Sequence, residues 1–209
     1  MDVAVKVCGI TNADDALMVA SAGVAALGFV FWPKSPRVVT PEVVRDLAPR
    51  LPAHVLRVGV FVNARPSEVA GVVAAANLNA AQLHGDEDPY GYTSIGVPLL
   101  KAMPLTTEAD AERASKLPPE IVPIVDAADH VRRGGTGEQA NWALAARLAA
   151  TRPILLAGGL HAGNVADAIR IVRPWGIDVS SGVESRPGKK SPEKVLAFLA
   201  AVAMAREVM

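Results

Sequence analysis

Val3–Thr11 reads VAVKVCGIT, a β-branched run that ends on a cysteine and turns at once through a glycine. Strand alternation places Ala4, Lys6 and Cys8 on one face and Val3, Val5 and Val7 on the other. The valines suit a helix-covered side, so the cysteine points the opposite way at a strand end. A dinucleotide-type open sheet would follow its first strand with G-x-G-x-x-G, but CGIT stands there instead. The fold turns on what the rest of the chain builds around this strand.

Seven further apolar runs follow at fairly even spacing: ALGFVF, LRVGVFV, AAQLH, PLLKAM, IVPIVD, PILLAG and GIDVSS. Between them lie helix-like segments over 12–22, 41–48, 66–77, 107–117, 142–150, 164–172 and 191–205, with a shorter one expected over 88–95. Thr40-Pro41 and Ser191-Pro192-Glu193 carry the chemistry of helix starts, a capping hydroxyl followed by proline. Strands alternating with helices require parallel pairing. Eight such units close into a (β/α)8 TIM barrel, which leaves no exposed sheet edge. With no linker in the chain, a single domain over residues 1–209 is expected. The open doubly wound α/β sheet is the competing fold. Pro123 in the sixth run argues against a central strand there, although it lies near the start, where a missing donor costs least.

Composition narrows the function classes. The 21 Lys and Arg balance 21 Asp and Glu, and no stripe is basic, so nucleic acid is not an expected partner. A single cysteine forms no internal disulfide, which fits a reducing, cytoplasmic setting. The acidic start MDVAVK does not read as a signal peptide. The longest uncharged run, Ala16–Trp32, approaches a membrane span, but Gly23 divides it into an alanine-rich helix and a β-branched strand.

Barrel active sites form at the C-terminal ends of the strands. Those ends supply Cys8, the loop with Ser35-Pro36-Arg37, Asn63, His84, Asp126, Gly158-Gly159 and Ser180-Ser181-Gly182. LAGGL after strand seven and DVSSGVE after strand eight offer backbone N–H groups and hydroxyls where barrels bind phosphate. A third glycine-rich stretch, RRGGTGE (132–138), reads as either a lid or a plain loop. Cys8 and Asp126 would flank the phosphate site from opposite sides, as a proton-transfer pair would. On residue type alone, Cys8 equally fits a small buried hydrophobe, and Asp126 a carboxylate holding a loop N–H. Lys6 and Asp178 are expected to pair inside the barrel, the alternative being a Lys6 that snorkels toward the mouth, and Lys6 is expected to favour the thiolate of Cys8. Gln82 and His84 share a face, where His84 is either a substrate contact or a hydrogen-bonded core histidine. His54, His130 and His161 show no metal-ligand spacing. Trp32 and Trp142 are expected to wall the mouth, and Trp175 to pack a helix end.

Together, KVCGIT, GFVFWPKSPRVV, VGVFVN, AQLHGDE, VD followed by GGTG, LAGGL..GNV..AI and DVSSGVES.PG.K resemble the phosphoribosylanthranilate isomerase family of tryptophan biosynthesis. The resemblance implies a (β/α)8 barrel without metal or organic cofactor and a small phosphosugar as substrate. It implies an Amadori rearrangement of N-(5-phosphoribosyl)anthranilate to 1-(2-carboxyphenylamino)-1-deoxyribulose 5-phosphate, with Cys8 as general base and Asp126 as general acid. Arg37 would bind the anthranilate carboxylate, and Gly159, Ser181 and Gly182 the phosphate. His84 and Asp178 complete the expected substrate-binding set. Ala140-Asn141 stands where the family has Phe-Asp, and Ala162 where it has proline. Two rivals share the barrel: a class I aldolase using Lys101 or Lys6, and a binder that keeps the phosphate cup without the chemistry.

Overall fold

The computed structural model describes residues 3–126 and 142–207. In chain order the elements are β1 (Ala4–Cys8), α1 (Ala13–Ser21), β2 (Ala26–Val30), α2 (Pro41–Leu47), β3 (Leu56–Phe61), α3 (Pro66–Ala75) and β4 (Ala80–Leu83). Next come β5 (Leu99–Pro104), α4 (Glu108–Ser115), β6 (Ile121–Asp126), α5 (Trp142–Ala149), β7 (Leu155–Ala157), α6 (Val165–Val172) and β8 (Gly176–Val179). A short β9 (Glu184–Arg186), β10 (Lys189–Lys190) and the long α7 (Pro192–Glu207) complete the chain. Strands β1 to β8 pair in sequence order, all parallel, and β8 returns to β1. The barrel is closed, so the open-sheet alternative fails.

Alternation along the strands sorts the core into two regions. Val3, Val5, Val7, Leu27 and Phe29 join the large apolar cluster beneath the helices. Ala26, Val58 and Ala80, with Leu100 packed against them, form a separate small cluster on the other face, inside the barrel. The helices supply apolar stripes to the outer cluster. In α6, for example, Val165, Ala168, Ile169 and Val172 are all buried. Burying each of these valine and isoleucine side chains stabilises the fold by about 1.5–3 kcal/mol.

Two expectations meet local chemistry. The fourth crossover is a 3-10 turn over Pro89–Ile95 rather than an α-helix, with Asp88 Oδ1 accepting from Tyr90 N at 3.2 Å. Its sequence PYGYTSI combines a central glycine with aromatic and β-branched residues, all poor at propagating an α-helix. Pro123 does lie in β6, paired with Lys101 of β5. The β6–β7 ladder begins only at Ile124 opposite Leu155, so β7 starts beyond the proline.

Among the described residues, no helix is long and apolar enough to cross a membrane. Charged side chains tie the loops together. Arg152 donates to the carbonyls of Ala114, Leu117, Pro118 and Ile121, clamping the end of α4 to the start of β6. Asp15 of α1 accepts from Lys189 Nζ at 2.6 Å and Lys190 N at 2.8 Å, fastening β10 against the first helix.

Candidate active site

A cavity of about 470 Å3 opens at the C-terminal end of the barrel. Cys8, Arg37, His84, Asp126, Asp178, Gly159, Ser181 and Gly182 all line it. Residues from position 8 to position 182 converge because parallel strands deliver every C-terminus to one mouth. Cys8 ends β1 and Asp126 ends β6, separated around the ring by β7 and β8.

The glycine that follows Cys8 has two uses. Gly9 takes φ +79°, a conformation that side chains resist, and a Cβ there would lie 2.4 Å from Arg37 Cδ. The CGIT turn therefore bends the chain sharply and clears the path of the Arg37 stem. On β2, Gly28 is the register partner of Cys8. A Cβ on Gly28 would approach Cys8 Sγ to 2.7 Å and Lys6 Nζ to 3.1 Å. Its bare backbone makes the space the thiol occupies.

Lys6 is 2% exposed and donates from Nζ to Asp178 Oδ1 at 2.8 Å. The two are register partners on β1 and β8, both inward, so the expected pair forms. Burial alone would lower the Lys6 pKa, but Asp178 and Cys8 together hold it above the ordinary lysine value. Lys6 thus stays an ammonium. For Cys8, burial pushes the thiol pKa up, and Lys6 offsets only part of that because Asp178 pushes it up further. The resting side chain is the thiol, and the expected preference for thiolate does not prevail over burial.

Arg37 reaches the cavity already partnered. Its Nε and Nη2 donate to Glu184 Oε1 and Oε2 at 2.8 and 2.6 Å. Glu184 is buried, so this is neither a surface ion pair nor a guanidinium waiting with both edges open. Glu184 stands within DVSSGVES but has no role among the sequence-based expectations. Lys190 was missed in the same way. It is fully buried and donates from Nζ to Glu184 Oε1 at 2.8 Å and to the Cys8 carbonyl at 2.6 Å. The signal was the compact run ESRPGKK, whose hairpin folds two charged residues inward.

The phosphate-type loops meet closely. Gly158 and Gly159 take φ +93° and +60°. Ser181–Val183 forms a 3-10 turn, and a Cβ on Gly182 would lie 1.9 Å from the Leu160 carbonyl oxygen. Only glycine lets the loop after β8 pack against the loop after β7. At the far side, Gln82 Nε2 and His84 Nδ1 are 2.9 Å apart, and burial lowers the His84 pKa, keeping the ring neutral. The hydrogen-bonded arrangement and the cavity position hold together for His84.

Other expectations are redistributed. Trp32 lines the cavity, whereas Trp142 is buried at the start of α5 and does not. Trp175 is 51% exposed, so its ring is only half covered. Asn63 braces the loop after β4, accepting from Asp86 N at 2.7 Å while its own N–H donates to Glu87. Lys101 points outward and pairs with buried Glu87 at 3.1 Å, away from the cavity. The aldolase alternative therefore has no free lysine: Lys101 is outside the site, and Lys6 is held charged by Asp178. Among the described residues, no cluster of His, Cys, Asp and Glu is placed to hold a metal. The RRGGTGE stretch, His130 and Ala140-Asn141 lie outside the described residues.

Comparison with known proteins gives a consistent picture. The family model described as N-(5'phosphoribosyl)anthranilate (PRA) isomerase matches residues 5–201. The N-(5'-phosphoribosyl)anthranilate isomerase of Myxococcus xanthus is 44% identical over 208 residues, covering 96% of this chain and 96% of that protein. That of Pelobacter propionicus is 43% identical over 195 residues, covering 93% of each. The crystal structure of phosphoribosyl anthranilate isomerase from Thermotoga maritima aligns with a TM-score of 0.90 at 40% identity, over 97% of this chain and all of that one (100%). A crystal structure of phosphoribosyl anthranilate isomerase in complex with reduced 1-(o-carboxyphenylamino)-1-deoxyribulose 5-phosphate aligns with a TM-score of 0.87 at 39% identity, over 97% and 100% of the two chains.

Proposed function

The chain belongs to the N-(5'-phosphoribosyl)anthranilate isomerase family and isomerises that aminoaldose in tryptophan biosynthesis, and we propose that it does so with Asp126 as general acid and Cys8 as general base. The observation that carries this reading is the convergence of Cys8, Asp126 and two glycine-rich loops on one cavity. The loops after β7 and β8 hold the phosphate, which fixes the pentose between the two reactive groups.

Asp126 gives its proton to the furanose ring oxygen. The C1–O4 bond breaks, and the nitrogen lone pair forms the C1=N Schiff base. Cys8, as thiolate, then takes the proton from C2, and the C2–H electron pair becomes the C1=C2 bond of an enolamine. Loss of the enol proton and protonation at C1 give the ketone, so the reaction is a net isomerisation. Asp178 and neutral His84 face the sugar as hydrogen-bonding partners, and Arg37 takes the anthranilate carboxylate. Trp32 lies along the wall where the aromatic ring would rest.

The test is turnover of enzymatically generated phosphoribosylanthranilate, followed by loss of anthranilate-type fluorescence. Saturable loss that requires the protein is the expected result. Tight binding of the reduced product analogue without turnover would instead favour a sugar-phosphate binder.

A further inference from the structure

β9 and β10 form a hairpin that lies after β8 and delivers Glu184 and Lys190 behind the cavity wall. Glu184 spans two cations there. It accepts from Arg37 at 2.8 and 2.6 Å and from Lys190 Nζ at 2.8 Å. Lys190 Nζ also donates to the carbonyls of Cys8 at 2.6 Å and Ser180 at 3.3 Å. One buried carboxylate thereby connects the arginine, the strand end carrying the thiol and the start of the loop after β8. Its single negative charge is shared between two positive ones, so the cluster keeps a residual positive charge beside the cavity. Arg37 Nη1 has no hydrogen-bond partner among the described residues.

We propose that Glu184 is a positioning residue that locks the Arg37 guanidinium through Nε and Nη2 and leaves Nη1 for the substrate carboxylate, with Lys190 anchoring Glu184 to the Cys8 strand end. The proposal rests on the reading of Arg37 given above. An unheld arginine loses rotamer freedom when it captures an anion, whereas one already locked does not. Sharing Glu184 with Lys190 also prevents it from cancelling the arginine, which keeps the site attractive to an anion.

The experiment compares two ligands on the wild type and Glu184→Gln: the reduced product analogue and its anilino counterpart lacking the carboxylate. Inorganic phosphate, measured by competition, reports the phosphate loops. The wild type should prefer the carboxylated ligand by at least about tenfold, the scale of one charge-assisted hydrogen bond. In Glu184→Gln that preference should fall to about threefold or less, with phosphate affinity unchanged. A variant that keeps the full preference overturns the proposal, as does equal weakening of all three ligands, which would mark a structural role. A wild type that binds both ligands equally overturns the reading of Arg37 itself. Should Glu184→Gln not fold, Glu184→Asp, which keeps the charge but shortens the reach, is read with the same ligands.

Discussion

Lys6 Nζ donates to Asp178 Oδ1 at 2.8 Å across the seam where β8 meets β1. The pair closes the barrel electrically as well as by backbone hydrogen bonds, and it lies one strand step below the thiol. Removing one partner leaves the other charge buried and unpaired. Lys6→Met should therefore cost about 3–5 kcal/mol of stability in urea unfolding, while Lys6→Met with Asp178→Leu should regain most of it. A single-variant loss below about 1 kcal/mol would show that water compensates the pair.

The proposed acid and base predict a simple pattern in kcat. Cys8→Ser and Asp126→Asn should each lower it by at least ~10²-fold, the usual scale for lost general acid–base catalysis. Steady-state kinetics with the native substrate decides, and near-normal kcat in either variant removes that residue from the mechanism.

Because burial raises the Cys8 pKa, the thiolate is the minor form near neutrality. kcat/KM should climb as the pH rises from about 7 to 9, as the base deprotonates. Cys8 is the only cysteine, so alkylation by iodoacetamide reports its ionisation directly. The two profiles should rise together. Alkylation that is already complete and pH-independent at neutrality would contradict a raised pKa.

Gly28 tests the space around the thiol. A methyl group there would meet Cys8 Sγ at 2.7 Å and Cys8 Cα at 3.1 Å, so the strand itself must shift. Gly28→Ala should cost about 1–3 kcal/mol, the range for overpacking. It should also reduce kcat more than KM, because it displaces the proposed base rather than the loops after β7 and β8. Full activity in a stable variant would mean that β1 adjusts freely.

Acid should weaken the network around β10. Burial pushes the Glu184 and Asp15 carboxyls up, but the hydrogen bonds from Arg37 and Lys190 to Glu184, and from Lys189 and Lys190 to Asp15, bring both below the ordinary range. Since their folded pKa values are depressed, the unfolded chain takes up protons first as the pH falls. Their stabilisation is present above the ordinary carboxylate values near pH ~4 and is lost as the pH drops through the folded ones. Melting temperature should fall below about pH 4, and Asp15→Asn should flatten that fall. An unchanged slope in the variant would assign the acid sensitivity to other carboxylates.

Much of the barrel was legible because strand alternation and helix periodicity are local. All eight expected strands form, and Cys8 faces inward as the valines at positions 3, 5 and 7 require. The fourth crossover was misread, since a 3-10 turn and a short helix look alike where glycine and aromatics interrupt the pattern.

By itself, the sequence determined eight parallel strands alternating with helices, the polar strand ends that line the cavity and the pairing of Lys6 with Asp178, which follows from adjacent strands and shared faces. Closure into a barrel was settled by the structure. Only the tertiary structure decided what Arg37 does before substrate arrives. Its partner Glu184 lies far along the chain, on a hairpin whose inward fold no local period announces. The same holds for Gly28, whose missing side chain has meaning only beside the sulfur it makes room for. Patterns of burial repeat along a chain and can be read there, whereas contacts between remote groups exist only once the chain has closed.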